Sequence, residues 1–198
     1  MNQTHYVDKV LRDLHMWSDK HWCTEISLNE YDSLHPADPN DQCIDQRKYQ
    51  QAIESLMYAA IHMHPDIFFA LGQLSQYLSD SAEHHGHALK GLLQYVWSTI
   101  NLEIMYELSE SQDLLEYSDS DYASDKLDRR SILGHVFLLE REPVSWASQK
   151  QKLVTILIIE IKYIIMSICI KIEVWLTQIL RNMKLDKYLE VNLYYVNI

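Results

Sequence analysis

Residues 114–125 read LLEYSDSDYASD, a stretch in which two leucines and two tyrosines stand beside four acidic side chains. The apolar start and polar end are typical of a strand followed by a turn. A carboxylate at the end of a buried strand can hold Mg²⁺, which prefers one or two carboxylate ligands and keeps several waters. The same acids also fit a solvated turn, and the stretch alone does not decide between the two interpretations.

The length and composition of the chain predict a folded protein. Its 198 residues, 47% of them apolar, suffice for one ordinary domain or two small ones with a real core. The three cysteines, Cys23, Cys43 and Cys169, are widely spaced and form no CxxC pair, and the first residues are polar with mixed charge. We therefore expect a reduced intracellular protein, in the cytoplasm or the nucleus, that is not secreted.

The charge pattern disfavours nucleic-acid binding. The formal net charge is −11, and between Tyr49 and Asp125 one basic residue, Lys90, stands against twelve acidic ones. Because Lys and Arg supply most of the affinity for a phosphate backbone, this region is expected to repel DNA and RNA.

The most apolar region is residues 153–180. Its longest uncharged run, residues 163–170, has eight residues, which is well short of the ~18 that a membrane-spanning helix needs. We therefore predict no membrane span. The many isoleucines favour a pair of strands, but the length of the segment favours one long helix, and we predict the helix over residues 153–183.

The pattern before residue 101 is helical. Residues 31–46 hold two of the four prolines together with Asp, Asn and Ser, which predicts a surface connector after an N-terminal helix. Apolar residues at three- and four-residue spacing then predict a helix that ends at Pro65 and a second helix with Pro65 at its first position. A third helix is predicted to begin after Ser81 as its N-cap. The second helix is expected to bury Ile67, Ala70, Leu71, Leu74 and Leu78.

After residue 101 the pattern changes to short extended runs separated by polar turns. These runs are LEIMYEL (102–108), DLLEYSD (113–119), ILGHVFLLE (132–140), PVSWASQ (143–149) and, after the long helix, EVNLYYVN (190–197). The order predicts an α+β fold, with helices first and then a β-β-β-α-β unit that has a mostly antiparallel sheet.

Two blocks of sequence carry a resemblance to a known family. Residues 49–99 contain SLMYA, PDI, LSQYLSD and HALKGLLQYVW, and residues 117–152 contain YSDSDYA, DRRS, GHVFLL and VSWASQKQK. Together they resemble the copia-type retrotransposon polyprotein, at the end of its reverse transcriptase and the start of its ribonuclease H domain. The resemblance implies that residues 1–100 are the helical end of the reverse transcriptase and that residues 101–198 are a truncated ribonuclease-H-like domain.

In that family the ribonuclease H domain cuts the RNA strand of an RNA–DNA hybrid with two Mg²⁺ ions, which several converging carboxylates hold about 3.5–4 Å apart. The resemblance assigns the first ligand to Asp119. The second ligand belongs on the long helix, where this chain has Lys162, and an ammonium group there removes a ligand and repels Mg²⁺. Glu160 lies about 200° around the helix from Lys162 and is expected to point elsewhere.

The third expected ligand position holds Val196, and the family's later elements lie beyond Ile198. Asp119 is then the only matched carboxylate, so any metal there is expected to be weak and the fragment is predicted to be a pseudoenzyme without bound Mg²⁺. The acidic charge is expected to weaken binding of an RNA–DNA hybrid. Glu116 stands where the family usually has glycine, one of several changes that suggest a decayed copy.

Three functional hypotheses follow. The first is a non-catalytic remnant of a retrotransposon polyprotein. The second is an interaction protein whose apolar helix, residues 153–180, packs against a polymerase or another copy of itself. The third is a residual Mg²⁺-dependent nuclease that uses Asp119, Asp121 and Glu160 in a different arrangement.

Other candidate sites have simpler interpretations. The HxH of residues 62–64 and the HHGH of residues 84–87 could bind zinc, but no cysteine is spaced to help, which favours solvated or helix-capping histidines. The DRR of residues 128–130 fits a contact with nucleic acid or a charged turn between strands. Trp146 is expected to pack into the sheet.

Overall fold

The computed structural model describes residues 3–14, 26–106, 114–121, 125, 128–152, 157–185 and 191–195, the last segment for its backbone only. The chain divides into two compact units, Met1–Ile104 and Met105–Ile198. The described part of the first unit is helical, and the second unit contains a sheet and one long helix.

The first unit is built on helices that share one core. They are α1 (Thr4–Asp13), α2 (Leu28–Asp32), α3 (Gln46–His62), a 3₁₀ turn (Pro65–Ile67) that continues into α4 (Phe68–Ser75), and α5 (Glu83–Ser98). The Asp45 carboxylate caps α3 by accepting the backbone N–H of Lys48. Pro65 ends α3 and opens the next turn, as predicted. Four of the five predicted core residues after Pro65 are fully buried, and Leu78 is partly buried against the same core.

The start of α5 corrects one prediction, because Ser81 is not its N-cap. Ala82 holds that position, and its backbone N–H donates to Nδ1 of His85 at 3.0 Å. An imidazole nitrogen three residues into the helix thus does what Glu or Gln does in a capping box. The hydroxyl of Ser81 is buried and has no hydrogen-bond partner among the described residues.

The second unit has the predicted β-β-β-α-β order. It consists of β1 (Leu114–Asp121), β2 (Ile132–Leu139), β3 (Glu142–Lys150), α6 (Ile158–Asn182) and β4 (Val191–Tyr195). The strands lie in the order β3-β2-β1-β4, with β1, β2 and β3 antiparallel and β4 parallel to β1. The α+β prediction is confirmed, and the arrangement is consistent with an incomplete ribonuclease-H-like unit.

The run LEIMYEL, predicted as a strand, is not one in its described part. Residues 102–106 belong to no strand, and Leu102, Met105 and Tyr106 are exposed. The Tyr106 hydroxyl donates to the carbonyl of Pro143 at 2.7 Å, so the segment is held by a side chain instead of by strand pairing. Residues 107 and 108 lie outside the described residues.

Helix α6 covers one face of the sheet. Its inner side buries Ile161, Ile165 and Cys169 at four-residue spacing, together with two leucines two and three turns further on, against Leu114, Leu133 and Phe137. The predicted long helix is confirmed over Ile158–Asn182, and residues 153–156, which the prediction included, lie outside the described residues. By length and composition alone α6 could also cross a membrane, a test that core helices of soluble proteins pass too. The absence of a membrane span stays a prediction.

Candidate functional site

Asp119, the matched metal-ligand position, lies near the end of β1. It is half-buried, stands opposite Gly134 of β2, and its Oδ1 accepts the backbone N–H of Ser120 at 2.7 Å. A shallow cavity of about 320 Å³ lies beside it over the middle of the sheet. Asp119 and His135 both border this cavity, but His135 lies opposite Ser118 in the strand register, so its side chain and that of Asp119 point to opposite faces of the sheet. Burial lowers the pKa of His135, which favours its neutral form.

The alternation of side chains along β1 decides which way Asp119 points. Leu114, Glu116 and Ser118 are buried, and Leu114 packs in the same cluster as α6, so the even-numbered side chains of β1 face α6. Asp119 and Asp121 therefore lie on the opposite face of the sheet. A metal held between Asp119 and a ligand on α6 requires both on one face.

The positions on α6 that sequence reasoning singled out have different surroundings. Lys162, at the expected acid position, is half-buried beside the inner side of the helix, whereas Glu160 is exposed. The Glu160 carboxylate accepts the backbone N–H of Leu157 at 3.4 Å, so it contributes to the start of α6. Val196 lies outside the described residues.

The last acid of the opening stretch belongs to the connection between β1 and β2. The carboxylate of Asp125 is buried and lies 2.6 Å from Nζ of Lys150, which also lies 3.1 Å from Asp128. The backbone N–H of Asp128 donates to Asp125, and Arg129 adopts a left-handed conformation with a φ of 57°. The DRR segment is thus a charged turn tied to β3. Its contact with nucleic acid is untested.

The acid that faces α6 is Glu116, which sequence reasoning treated only as a lost glycine. It is 4% exposed and hydrogen-bonds the thiol of Cys169. Burial first, and then Glu116, raises the pKa of Cys169 to about 12, so the thiol stays protonated. Burial and repulsion from Glu116 also raise the pKa of Glu173, one turn further along α6. The signal was the even spacing of Glu116 from Leu114 in a half-buried strand.

The histidines of the first unit fasten a connector to α5. His85 is fully buried; because its Nδ1 accepts a backbone N–H, its Nε2 carries the proton and donates to the carbonyl of His35 at 2.9 Å. Nε2 of His84 also lies 3.0 Å from this carbonyl, and Tyr77 stacks on the His85 ring with centroids 4.0 Å apart. Helix capping by a histidine is thereby confirmed at His85.

The four acids of residues 114–125 therefore have three different placements: Glu116 lies under α6, Asp119 and Asp121 face the other side of the sheet, and Asp125 pairs with Lys150. In the described part of the chain, no group of three or more His, Cys, Asp or Glu side chains is arranged to hold a metal ion. A centre that holds two metal ions within the described residues would need at least three such converging side chains.

Comparison with known proteins gives several relatives. The chain is 37% identical over 129 residues to secreted RxLR effector protein 161 of Plasmopara viticola, a match that covers 65% of this chain and 91% of that protein. It is 33% identical over 152 residues to the retrovirus-related Pol polyprotein from transposon RE1 of Arabidopsis thaliana, covering 77% of this chain and 10% of the polyprotein. It is 29% identical over 190 residues to the corresponding polyprotein from transposon TNT 1-94 of Nicotiana tabacum, covering 94% and 14%.

The chain thus spans about a tenth of the length of the transposon polyproteins it matches. No family model matches the sequence. No solved structure matches it either.

Proposed function

We propose that the chain is a catalytically inactive fragment of a copia-type retrotransposon polyprotein; its homologues include retrovirus-related Pol polyproteins of plant transposons. In this proposal residues 1–100 correspond to the helical end of the reverse transcriptase and residues 101–198 to a truncated ribonuclease H domain. The activity of the parent is hydrolysis of the RNA strand of an RNA–DNA hybrid.

The observation that carries the proposal is the separation of Asp119 from α6. Hybrid hydrolysis by two metal ions needs carboxylates from a strand and from the long helix on the same metals. Here the even-numbered residues of β1 face α6 and Asp119 does not. Lys162 puts a positive charge at the position where a second carboxylate is needed, which further opposes binding of a divalent cation.

The electrostatics of the chain support the same proposal for its partners. With a net charge of −11, the fragment is expected to bind an RNA–DNA hybrid more weakly than its parent. We also propose that it binds no Mg²⁺ and that it resides inside the cell, in the cytoplasm or the nucleus.

A cleavage assay tests the proposal. The full chain is incubated with an end-labelled RNA–DNA hybrid in Mg²⁺ or Mn²⁺, beside an Asp119→Asn variant as the matched control. We expect no cleavage above the background of the control. Cleavage that the substitution abolishes would establish the residual nuclease and overturn the proposal.

Restoring the missing acids tests the geometric reason for inactivity. The double variant Lys162→Glu/Val196→Asp returns both expected carboxylates to the chain. Because Asp119 faces away from α6, we expect this variant to remain inactive. Activity in the double variant, lost again on adding Asp119→Asn, would mean that all three acids converge and that only their identity was at fault.

A further inference from the structure

Helix α6 presents a continuous apolar surface on the side away from its core. Five side chains at four-, three-, four- and four-residue spacing form this outer stripe, and their exposed fractions run from 45% to 67%. They are Ile159, Tyr163, Met166, Ile170 and Val174. Such a stripe, some 22 Å long at 1.5 Å per residue, is what one helix presents to another in a helix pair.

We propose that the outer stripe is the contact surface between two copies of this chain, with the two α6 helices antiparallel. The inference concerns α6 alone and does not rest on the loss of nuclease activity. It commits to a second copy because the charges beside the stripe complement those of the same helix reversed.

Two pairs of opposite charges flank the stripe. Glu160 and Lys171 are eleven residues apart, which brings them within ~20° of each other on one side, and Lys162 and Glu173 have the same spacing on the other side. In an antiparallel pair related by a two-fold axis, residues on the same side of the stripe meet with their order reversed. Glu160 then meets Lys171 of the second copy, and Lys162 meets Glu173.

The apolar residues fit the same axis. Tyr163 meets Ile170 of the second copy and Ile159 meets Val174, because the midpoint of both pairs lies between residues 166 and 167. The midpoints of the two charged pairs lie within one residue of the same point. One arrangement therefore matches the apolar and the charged positions together. A helix contact of this length is smaller than a standard interface of roughly 800 Å² per partner, so we expect a weak dimer with a Kd in the micromolar range.

A membrane is a poorer occupant for this surface. A spanning helix must be surrounded by lipid, but Ile161, Ile165 and Cys169 are buried against the sheet. An interfacial helix binds anionic lipid through an excess of Lys and Arg. The flanks of this stripe hold two acids and two bases, on a chain whose net charge is −11.

Sedimentation of the full chain from low to high micromolar concentration tests the proposal. We expect a monomer–dimer equilibrium, and a Kd raised roughly tenfold or more by Ile170→Glu, which would bury a charge in the contact. Ile61→Glu is the matched control, since Ile61 is a comparably exposed isoleucine on α3. A monomer at every concentration, or equal effects of the two substitutions, would overturn the proposal. Circular dichroism checks that both variants stay folded.

Charge exchange tests the pairing itself. The variant Lys162→Glu/Lys171→Glu makes both flanks acidic, and Glu160→Lys/Glu173→Lys makes both basic. Each variant is expected to dimerise more weakly than the wild type, and the two are expected to associate when mixed. Failure of the mixture to associate, or flotation of the chain with phosphatidylcholine vesicles that Ile170→Glu abolishes, would contradict a second copy as the occupant.

Orientation has its own readout. Cysteines introduced by Ile159→Cys and Val174→Cys in one chain should form an intermolecular disulfide between the two different positions, located by mass spectrometry of the digested dimer. Ile159→Cys alone should give no disulfide between two copies of residue 159. Such a symmetric disulfide would indicate a parallel pair and would overturn the antiparallel arrangement.

Discussion

Helices α5 and α6 each cover a core with one side, and their other sides differ. The outward residues Glu83, His87 and Lys90 of α5 have the same four- and three-residue spacing as Ile159, Tyr163 and Met166 of α6. The first set is polar and the second is apolar. Helix α5 therefore buries its apolar side in the core of the first unit and exposes a polar side, whereas α6 has apolar side chains on both its inner and its outer side.

The same contrast holds for the polar groups that each unit buries beneath a helix. His85 of the first unit has a partner on each ring nitrogen. Glu116 of the second unit has the Cys169 thiol for a partner, but it also repels Glu173. The buried His85 of the first unit is therefore fully hydrogen-bonded, whereas the buried Glu116 of the second unit repels the partly buried Glu173.

The largest effect is expected at the β1–β2 connection, the one place where the second unit buries a well-paired charge in its described part. Lys150→Met leaves the Asp125 carboxylate buried without its ammonium partner at 2.6 Å. Breaking a partly buried pair in this way should lower the free energy of unfolding by about 2–3 kcal/mol, measured by urea denaturation. Adding Asp125→Asn should recover part of the loss. Additive losses in the double variant would contradict the pairing.

Most helices and strands of both units could be predicted from the sequence, because regularly spaced apolar residues mark the segments and proline or polar turns separate them. Short extended runs between polar turns identified β1, β2 and β3, and Pro65 marked the boundary between α3 and the next turn. It failed for residues 102–106, where apolar residues suggested a strand but the described part of the run pairs with none. It failed at Ser81 because a histidine supplies the capping acceptor, which the usual pattern of Glu or Gln does not cover.

The site was harder to predict than the fold. The matched motif identified Asp119 from its sequence neighbours, but the direction of a strand side chain depends on which alternate residues the packing helix covers. That choice is made by Leu114 and by the tertiary contact with α6. Glu116 was overlooked because charged residues are rarely buried, although its even spacing from Leu114 places it on the buried face of β1.

A smaller effect is expected from His85, a buried histidine of the first unit. Burial and the neighbouring His84 lower the pKa of His85, so protons bind more readily to the unfolded chain. The free energy of unfolding should therefore fall as the pH drops below about 6.5, by about 1 kcal/mol per unit of pKa difference. His85→Gln retains a capping acceptor and should flatten this part of the pH profile.

The control for that experiment is His87→Gln on the same helix, where the ring is mostly exposed and lies 3.5 Å from Glu83. It should leave the slope of unfolding free energy against pH below 6.5 close to that of the wild type. Equal flattening in both variants would mean that the buried ring of His85 is not the group responsible for the pH dependence. The comparison between His85 and Glu116 would then no longer hold for the first unit.

The smallest effect is expected from the repulsion between Glu116 and Glu173 in the second unit. Burial and repulsion from Glu116 raise the pKa of Glu173, so deprotonation of Glu173 costs the folded state stability as the pH rises through the ordinary pKa of glutamate towards the raised value. Glu116→Gln removes the repulsion and keeps a side chain of the same shape. The variant should therefore gain a fraction of a kcal/mol over the wild type above about pH 5 and lose that advantage near pH 4, where Glu173 is protonated. Urea denaturation at both pH values measures the difference. Asp121→Asn, on the exposed end of β1 and the opposite face of the sheet, is the matched control that should show no such gain. An equal gain at both pH values would trace the effect to packing and would contradict the repulsion between Glu116 and Glu173.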